Sequence, residues 1–250
     1  MIYFLSDVHL GFEERDLDKK REELVLKALD VISEDCKTLV ILGDLFDFWF
    51  EYKTVIPKNF YRTISKLYDL KQKGIEILYL MGNHDFGHKN FFSDELGVEI
   101  IKDDVETVFY GKKFYLSHGD GKSFYDSVYN FLKKILRNPI SLYLYTKLHP
   151  DLGIKLASGS SKESRKHTSK KKYGDVEGME QFAEKKIQEG FDYVVMGHRH
   201  KLILKKLSNG FYVNLGDWLH EPHIGRFNGD KFELIKVTDF ITKEINEEKY

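Results

Sequence analysis

The chain has 250 residues, of which 42% are hydrophobic and 32% charged. That is enough apolar matter for one domain with a sizeable core, and too much for a disordered or low-complexity protein. Lys plus Arg (39) nearly cancels Asp plus Glu (40), so a polyanion would meet only a local patch and no nucleic-acid partner is expected. The single cysteine, Cys36, can form neither an internal disulfide nor a cysteine-based zinc site, which fits a reducing cytoplasm.

The first apolar residues have no basic region ahead of them and meet a charge at Asp7, which predicts no signal peptide. No apolar run approaches the ~20 residues of a membrane span. Short runs rich in Ile, Val, Tyr and Leu then end abruptly at Gly, Asp or Asn, and predict strands over Ile2–Ser6, Thr38–Leu42, Ile75–Leu80, Lys113–Ser117, Tyr193–Met196 and Tyr212–Leu215. Between the first three lie helical periods, Leu17–Ser33 (Leu17, Leu24, Leu26, Leu29) and Tyr61–Lys73 (Ile64, Leu67, Leu70), the alternation of a largely parallel sheet. Later strands pair as hairpins, Lys201–Leu207 with Phe211–Leu215 and His223–Phe227 with Lys231–Ile235, each across an Asn-Gly turn. The expectation is a single domain over residues 1–250: an α/β sandwich of mixed β-sheets flanked by helices.

The segment from about Gly121 to Gly174 breaks this alternation. It carries an amphipathic run over Phe124–Leu136, a break at Asn138-Pro139 and a second apolar run over Leu142–Leu148. Beyond these it turns Ser/Gly-rich and basic, with Lys155, Lys162, Arg165, Lys166, Lys170, Lys171 and Lys172. It reads as a helical insertion over the body of the fold.

Five of the ten histidines fall beside Asp, Asn or Gly at the ends of predicted strands. The pieces are Asp7-Val8-His9, Gly43-Asp44-Leu45-Phe46-Asp47, Gly82-Asn83-His84-Asp85, His118-Gly119-Asp120 and Gly197-His198-Arg199-His200. In a mostly parallel sheet such ends open onto one crevice, so residues distant in sequence converge. Carboxylate, amide oxygen and imidazole together suit Mn, Fe or Zn better than Ca or Mg. Asp44 is the candidate bridge between two ions, with Asn83, His118 and His198 completing one site and Asp7, His9 and His200 the other. His149 and His167 are expected to face solvent, while His88, His220 and His223 read as structural.

This ordered set, spanning residue 5 to about 218, resembles the calcineurin-like metallophosphoesterases. The resemblance implies a dinuclear metal centre, with Mn2+ first and Fe or Zn as alternatives, and hydrolysis of a phosphate ester or anhydride. It marks His84 as a residue placed to stabilise the transition state or protonate a leaving group. The neighbouring Asp85 is read from the residues as its companion, provided the pair hydrogen-bonds. Within that family the chain is most similar to the UDP-2,3-diacylglucosamine pyrophosphohydrolases of lipid A biosynthesis. The narrower likeness rests on Gly43-Asp44-Leu45-Phe46-Asp47-Phe48-Trp49, His118-Gly119-Asp120 with Asp126, the helical insertion, Ser161-Lys162-Glu163 and Leu215-Gly216-Asp217-Trp218.

It implies attack at the phosphate next to uridine, giving UMP and 2,3-diacylglucosamine 1-phosphate. Asp126, Ser161, Arg165 and Lys166, joined by Asn83 and His198, would contact the nucleotide-sugar lipid. The insertion would offer apolar grooves to acyl chains, and its basic run would meet the diphosphate and anionic headgroups. The expected location is therefore cytoplasmic, with a peripheral contact on the inner face of the inner membrane. Two positions depart from the pattern: many members carry Arg where this chain has His84, and a lysine expected a few residues after Arg165 meets Thr168. The rival readings are a phosphodiesterase of the same fold acting on a soluble phosphodiester or nucleotide, and a scaffold that has lost hydrolysis.

Overall fold

Alternation along the strands sets the architecture. In β1 (Ile2–Leu5) all four side chains are buried, Ile2 and Phe4 in one apolar cluster and Tyr3 and Leu5 in another. A strand apolar on both faces belongs inside a sheet covered on both sides. The computed structural model describes residues 1–122, 138–156 and 178–247, and in it β1 pairs in parallel with β2 (Thr38–Leu42), which pairs with β3 (Glu76–Leu80) and that with β4 (Ile100–Ile101). On the other side of β1 the strands β10 (His223–Phe227) and β11 (Phe232–Lys236) add antiparallel, giving a six-stranded sheet in the order β11-β10-β1-β2-β3-β4.

A second, five-stranded sheet runs β5-β6-β7-β9-β8, formed by Val105–Phe109, Lys112–Ser117, Tyr193–Met196, Gly210–Leu215 and Leu202–Leu207 for β5, β6, β7, β9 and β8. The sheets face one another across Phe4, Val40, Leu42, Phe114, Leu116, Val195, Val213 and Phe227. The first sheet's outer face is covered by α1 (Arg15–Ile32) and α2 (Tyr61–Gln72) and meets Val237 and Phe240 of the C-terminal helix. Met179, Ala183 and Ile187, from the helix Gly178–Gln188, cover the second.

Both predicted hairpins form, with Leu207 opposite Gly210 and Phe227 opposite Phe232. The hairpin β5–β6 was not predicted: its strand Val-Glu-Thr-Val-Phe is short and half polar. Its turn is set by Tyr110 and Gly111, both at positive φ (50° and 80°), the handedness that tight hairpins require.

Helix α1 differs from its predicted apolar face. Leu17 is exposed, and the buried stripe is Asp18, Arg21, Glu22, Val25, Ala28, Leu29 and Ile32. The spacing is that of an amphipathic helix, but its first turns present charges inward.

Of the expected insertion, residues 123–137 and 157–177 lie outside the described residues, and with them Phe124–Leu136, Asp126, Ser161, Arg165, Lys166 and His167. Asn138-Pro139 is a helix start: the Asn138 side chain accepts from Ile140 N at 2.9 Å, and Pro139 occupies the first turn of α3 (Pro139–Tyr145). Tyr145 packs on Phe50 with ring centroids 4.4 Å apart, while Ile140, Tyr143 and Leu144 stay 60–69% exposed.

Candidate metal centre

The carboxyl ends of β1, β2, β3, β6 and β7 converge as the parallel pairing requires. Five of the expected ligands, Asp7, His9, Asp44, His198 and His200, have φ between 52° and 67°, a left-handed backbone that costs a non-glycine residue about 1–3 kcal/mol. The surroundings fix them there. Asp7 N donates to Gly43 O (3.2 Å), His9 N to Asp44 O (3.0 Å) and Trp218 N to Asp7 O (3.1 Å). The loops also approach too closely for side chains. A Cβ on Gly82 would lie 2.1 Å from Asp44 Oδ1, and one on Gly197 would lie 1.9 Å from Ser6 Oγ, so only glycine fits.

Within this frame two groups of donors form. In the first, Asp7 Oδ1 lies 3.7 Å from His9 Nε2 and 3.4 Å from His200 Nε2, and the two imidazole nitrogens are 3.3 Å apart. In the second, Asn83 Oδ1 lies 2.9 Å from His118 Nε2 and 2.7 Å from His198 Nδ1. Asp44 Oδ2 sits between them, 3.3 Å from His118 Nε2 and 3.9 Å from His9 Nε2. All seven expected ligands thus gather in one cluster.

The outer nitrogens of the histidines are held by acceptors. His118 Nδ1 donates to Leu42 O at 2.7 Å, His9 Nδ1 faces Asp47 Oδ1 at 3.3 Å and His200 Nδ1 faces Asp217 Oδ2 at 3.5 Å. An N–H directed outward leaves the Nε2 lone pair directed inward, the arrangement of a metal-ligating histidine. Asp47 and Asp217 had no role in the sequence reading. The signal for Asp47 was its place three residues after Asp44; for Asp217 it was the turn at the end of β9 on the same edge.

Does the cluster fit a cation? Asp7 is fully buried, yet its Oδ1 accepts no hydrogen bond. Its Oδ2 is satisfied by Ser6 Oγ and by His198 N at 2.9 Å. A buried carboxylate oxygen without a hydrogen bond, set between two imidazoles, fits a cation. The electrostatics point the same way. Burial would raise the Asp7 carboxyl, but the neighbouring imidazoles of His200 and His9 outweigh it and hold it well below its ordinary value. Burial would likewise raise Asp44; the charges of His118 and His84 and the His118 bond carry it down. Burial opposes protonation of His118, yet Asp44 beside it pushes the imidazole up to about 10. His198, by contrast, is lowered to about 4, first by burial and then by the His118 charge. Without a cation, a proton on His118 compensates the buried carboxylates; a bound ion would displace it.

One expectation is corrected. Asp85 does not pair with His84. Its carboxylate is fully buried and accepts from Gly82 N (2.7 Å), Leu45 N (3.1 Å) and Tyr79 Oη (2.6 Å). The Tyr79 phenol is raised well above its ordinary value, by burial and then by the Asp85 charge, and so keeps its proton. Asp85 therefore fixes the loop that carries Asn83. His84 turns the other way: its Nδ1 lies 3.3 Å from Asp47 O and 3.5 Å from Asp47 Oδ1, its ring meets that of His9 edge-on at 5.0 Å, and its backbone N donates to Asp44 Oδ1 at 2.8 Å. Asp85→Asn aims an amide N–H at one of three donors and is expected to destabilise the protein by about 1–3 kcal/mol. Urea unfolding checks this, and an unchanged midpoint would show that the three bonds are dispensable.

Two of the histidines read as structural are packed as such: His88 is buried and stacks on Trp49 at 5.3 Å, and His223 Nδ1 lies 2.8 Å from Glu221 O. The third, His220, is exposed, and its Nδ1 lies 2.9 Å from Oδ1 of Asp217, the carboxylate that faces His200. His149, expected to face solvent, is 73% exposed in its side chain.

Comparison with known proteins agrees with this geometry. The family model for calcineurin-like phosphoesterases matches residues 1–202. UDP-2,3-diacylglucosamine hydrolase of Porphyromonas gingivalis is 32% identical over 258 residues, covering 95% of this chain and 98% of that protein. The enzymes of the same name from Pseudomonas fluorescens and Haemophilus influenzae are 31% and 27% identical, over 98% and 86% of this chain and 98% and 90% of their own lengths. A family of metal-dependent phosphoesterases implies divalent ions, and the donors described above are grouped as such ions require. The chain belongs to the calcineurin-like phosphoesterase family.

Proposed function

We propose that this chain hydrolyses the pyrophosphate bond of UDP-2,3-diacylglucosamine, giving UMP and 2,3-diacylglucosamine 1-phosphate. The observation that carries the reading is end-to-end similarity, at 32% identity, to a hydrolase named for that substrate, in a chain that keeps a complete donor set. Asp7, His9 and His200 would hold one divalent ion and Asn83, His118 and His198 the other, with Asp44 shared. Manganese is the first choice for this mixed oxygen and nitrogen set, and iron or zinc the alternatives. When bound, such ions withdraw charge from phosphoryl oxygens and make water a better nucleophile. The protein's own groups position and neutralise: Asp47 orients both His9 and His84, and Asp217 orients His200. His84, which lies beside His9 and Asp44, would hold or move a proton at the departing oxygen.

The insertion is the part that would recognise lipid. Leu152 and Leu156 add exposed apolar surface to that of Ile140, Tyr143 and Leu144, and Lys155 is exposed beside them. Among the described residues no helix is long and apolar enough to cross a membrane, so the contact proposed is peripheral, on the cytoplasmic face. Asp126, Ser161, Arg165 and Lys166 are proposed substrate contacts on the strength of the sequence likeness.

Metal-stripped protein reloaded with Mn2+ is expected to cleave UDP-2,3-diacylglucosamine with a higher kcat/KM than bis(p-nitrophenyl) phosphate. Chelation should abolish both activities. Turnover of the small diester alone would replace this reading with that of a phosphodiesterase acting on soluble substrates.

A further inference from the structure

The charged first turns of α1 point to a device behind the metal centre. Asp18 and Arg21 are 2% and 7% exposed, positions where an amphipathic helix normally carries apolar side chains. Both reach the loop that follows β1. Arg21 Nη1 donates to His9 O at 3.2 Å, and Asp18 Oδ1 accepts from Gly11 N at 2.7 Å. The two side chains lie 3.5 Å apart, and Arg21 Nη2 also bonds Glu13. Phe12 N donates to the same His9 carbonyl at 3.2 Å.

His9 is one of the ligands with a left-handed backbone, at φ 52°. That conformation persists only where neighbours over-determine it. Its N–H is held by Asp44 O, its ring by Asp47, and its carbonyl by Arg21 and Phe12. A buried guanidinium is costly unless its charge is compensated and its donors are used. Here both conditions are met by Asp18, which also bonds Gly11 N in this loop and lies 3.6 Å from Arg15, and by Glu13 of the loop. An apolar side chain would fill the same helix face without that cost, so the charges need a reason other than packing.

We propose that Arg21, braced by Asp18, is a positioning residue for the ion held by Asp7, His9 and His200. By fixing the His9 carbonyl it sets the direction in which Nε2 enters the cluster, and so the affinity of that ion but not of the one held by Asn83, His118 and His198. The guanidinium contacts the His9 carbonyl, Glu13 and Asp18, and none of the ligating side-chain atoms.

The test is titration of metal-stripped full-length protein with Mn2+ alone, followed by calorimetry, with metal content after dialysis as a second readout. His200→Ala and His118→Ala identify which of the two binding events belongs to which group. Arg21→Met is expected to loosen the His9-side ion about 10–100-fold, the range for loss of a group that orients a ligand, and to leave the other event unchanged. Arg21→Lys, which keeps a cationic donor on a long stem, should recover part of the loss. Wild-type binding of both ions by folded Arg21→Met overturns the proposal, as does equal weakening of both or a Lys variant no better than Met. Should Arg21→Met fail to fold, Asp18→Asn carries the same test, because it keeps an acceptor for Gly11 N while removing the ion pair: selective loosening of the same ion is expected, and two wild-type binding events refute the role.

Discussion

Asp44→Ala is expected to leave a folded protein that binds fewer than two ions and loses turnover by more than the roughly 100-fold cost of removing an outer-shell partner. The expectation follows from one atom. Asp44 Oδ2 lies within 4 Å of a histidine in each donor group, at 3.9 Å from His9 and 3.3 Å from His118. Oδ1 is committed to the His84 amide. Removing the carboxylate also removes the charge that keeps His118 protonated, so its imidazole should fall from about 10 toward its ordinary range. The mutant therefore loses the bridge and the compensating proton together. Circular dichroism should be unchanged in shape, since the hydrophobic clusters that join the sheets and helices do not include Asp44. Two tightly bound ions with near-normal turnover in the mutant would exclude Asp44 as the shared ligand.

What the sequence made legible was the ligand chemistry and the crevice. Asp, Asn and His standing where predicted parallel strands stop are chemically conspicuous, and topology alone brings those ends together. The supporting groups were less visible because their roles depend on the backbone. Asp85 looks like a partner for its neighbour His84 in a linear reading. In three dimensions the chain bends over Asn83-His84-Asp85, and the Asp85 side chain turns inward to satisfy two amides and Tyr79. Asp47 and Asp217 act on histidines that precede them by 38 and 17 residues. Such distances carry no local periodic signal. In α1 the count began from Leu17, an apolar residue that faces solvent, because a pattern built on hydrophobicity cannot see that Asp18, Arg21 and Glu22 fill the inward stripe. The short strands β4 and β5 were missed because neither has an apolar run long enough to register.

His84→Ala should lower turnover of the diacylated nucleotide sugar by about 10²–10⁴, the usual contribution of a positioned proton-transfer group, while both ions stay bound. Its side chain is 16% exposed, open to the cleft in a way His9 is not. Asp47 holds its Nδ1 edge, at 3.3 Å from the carbonyl and 3.5 Å from the carboxylate. A competing geometry makes the experiment decisive. His9, Asp44 and His84 each offer an atom within 4.8 Å of the others, a spacing that could itself hold an ion. Parallel loss of metal and activity in His84→Ala would thus make His84 a ligand rather than a proton donor. The variant His84→Arg separates charge from proton transfer, because a guanidinium neutralises a phosphoryl oxygen but cannot give up its proton near neutral pH. Near-wild-type turnover in the Arg variant would assign electrostatic stabilisation to this position. A loss as deep as that of Ala, with both ions retained, would assign it the proton.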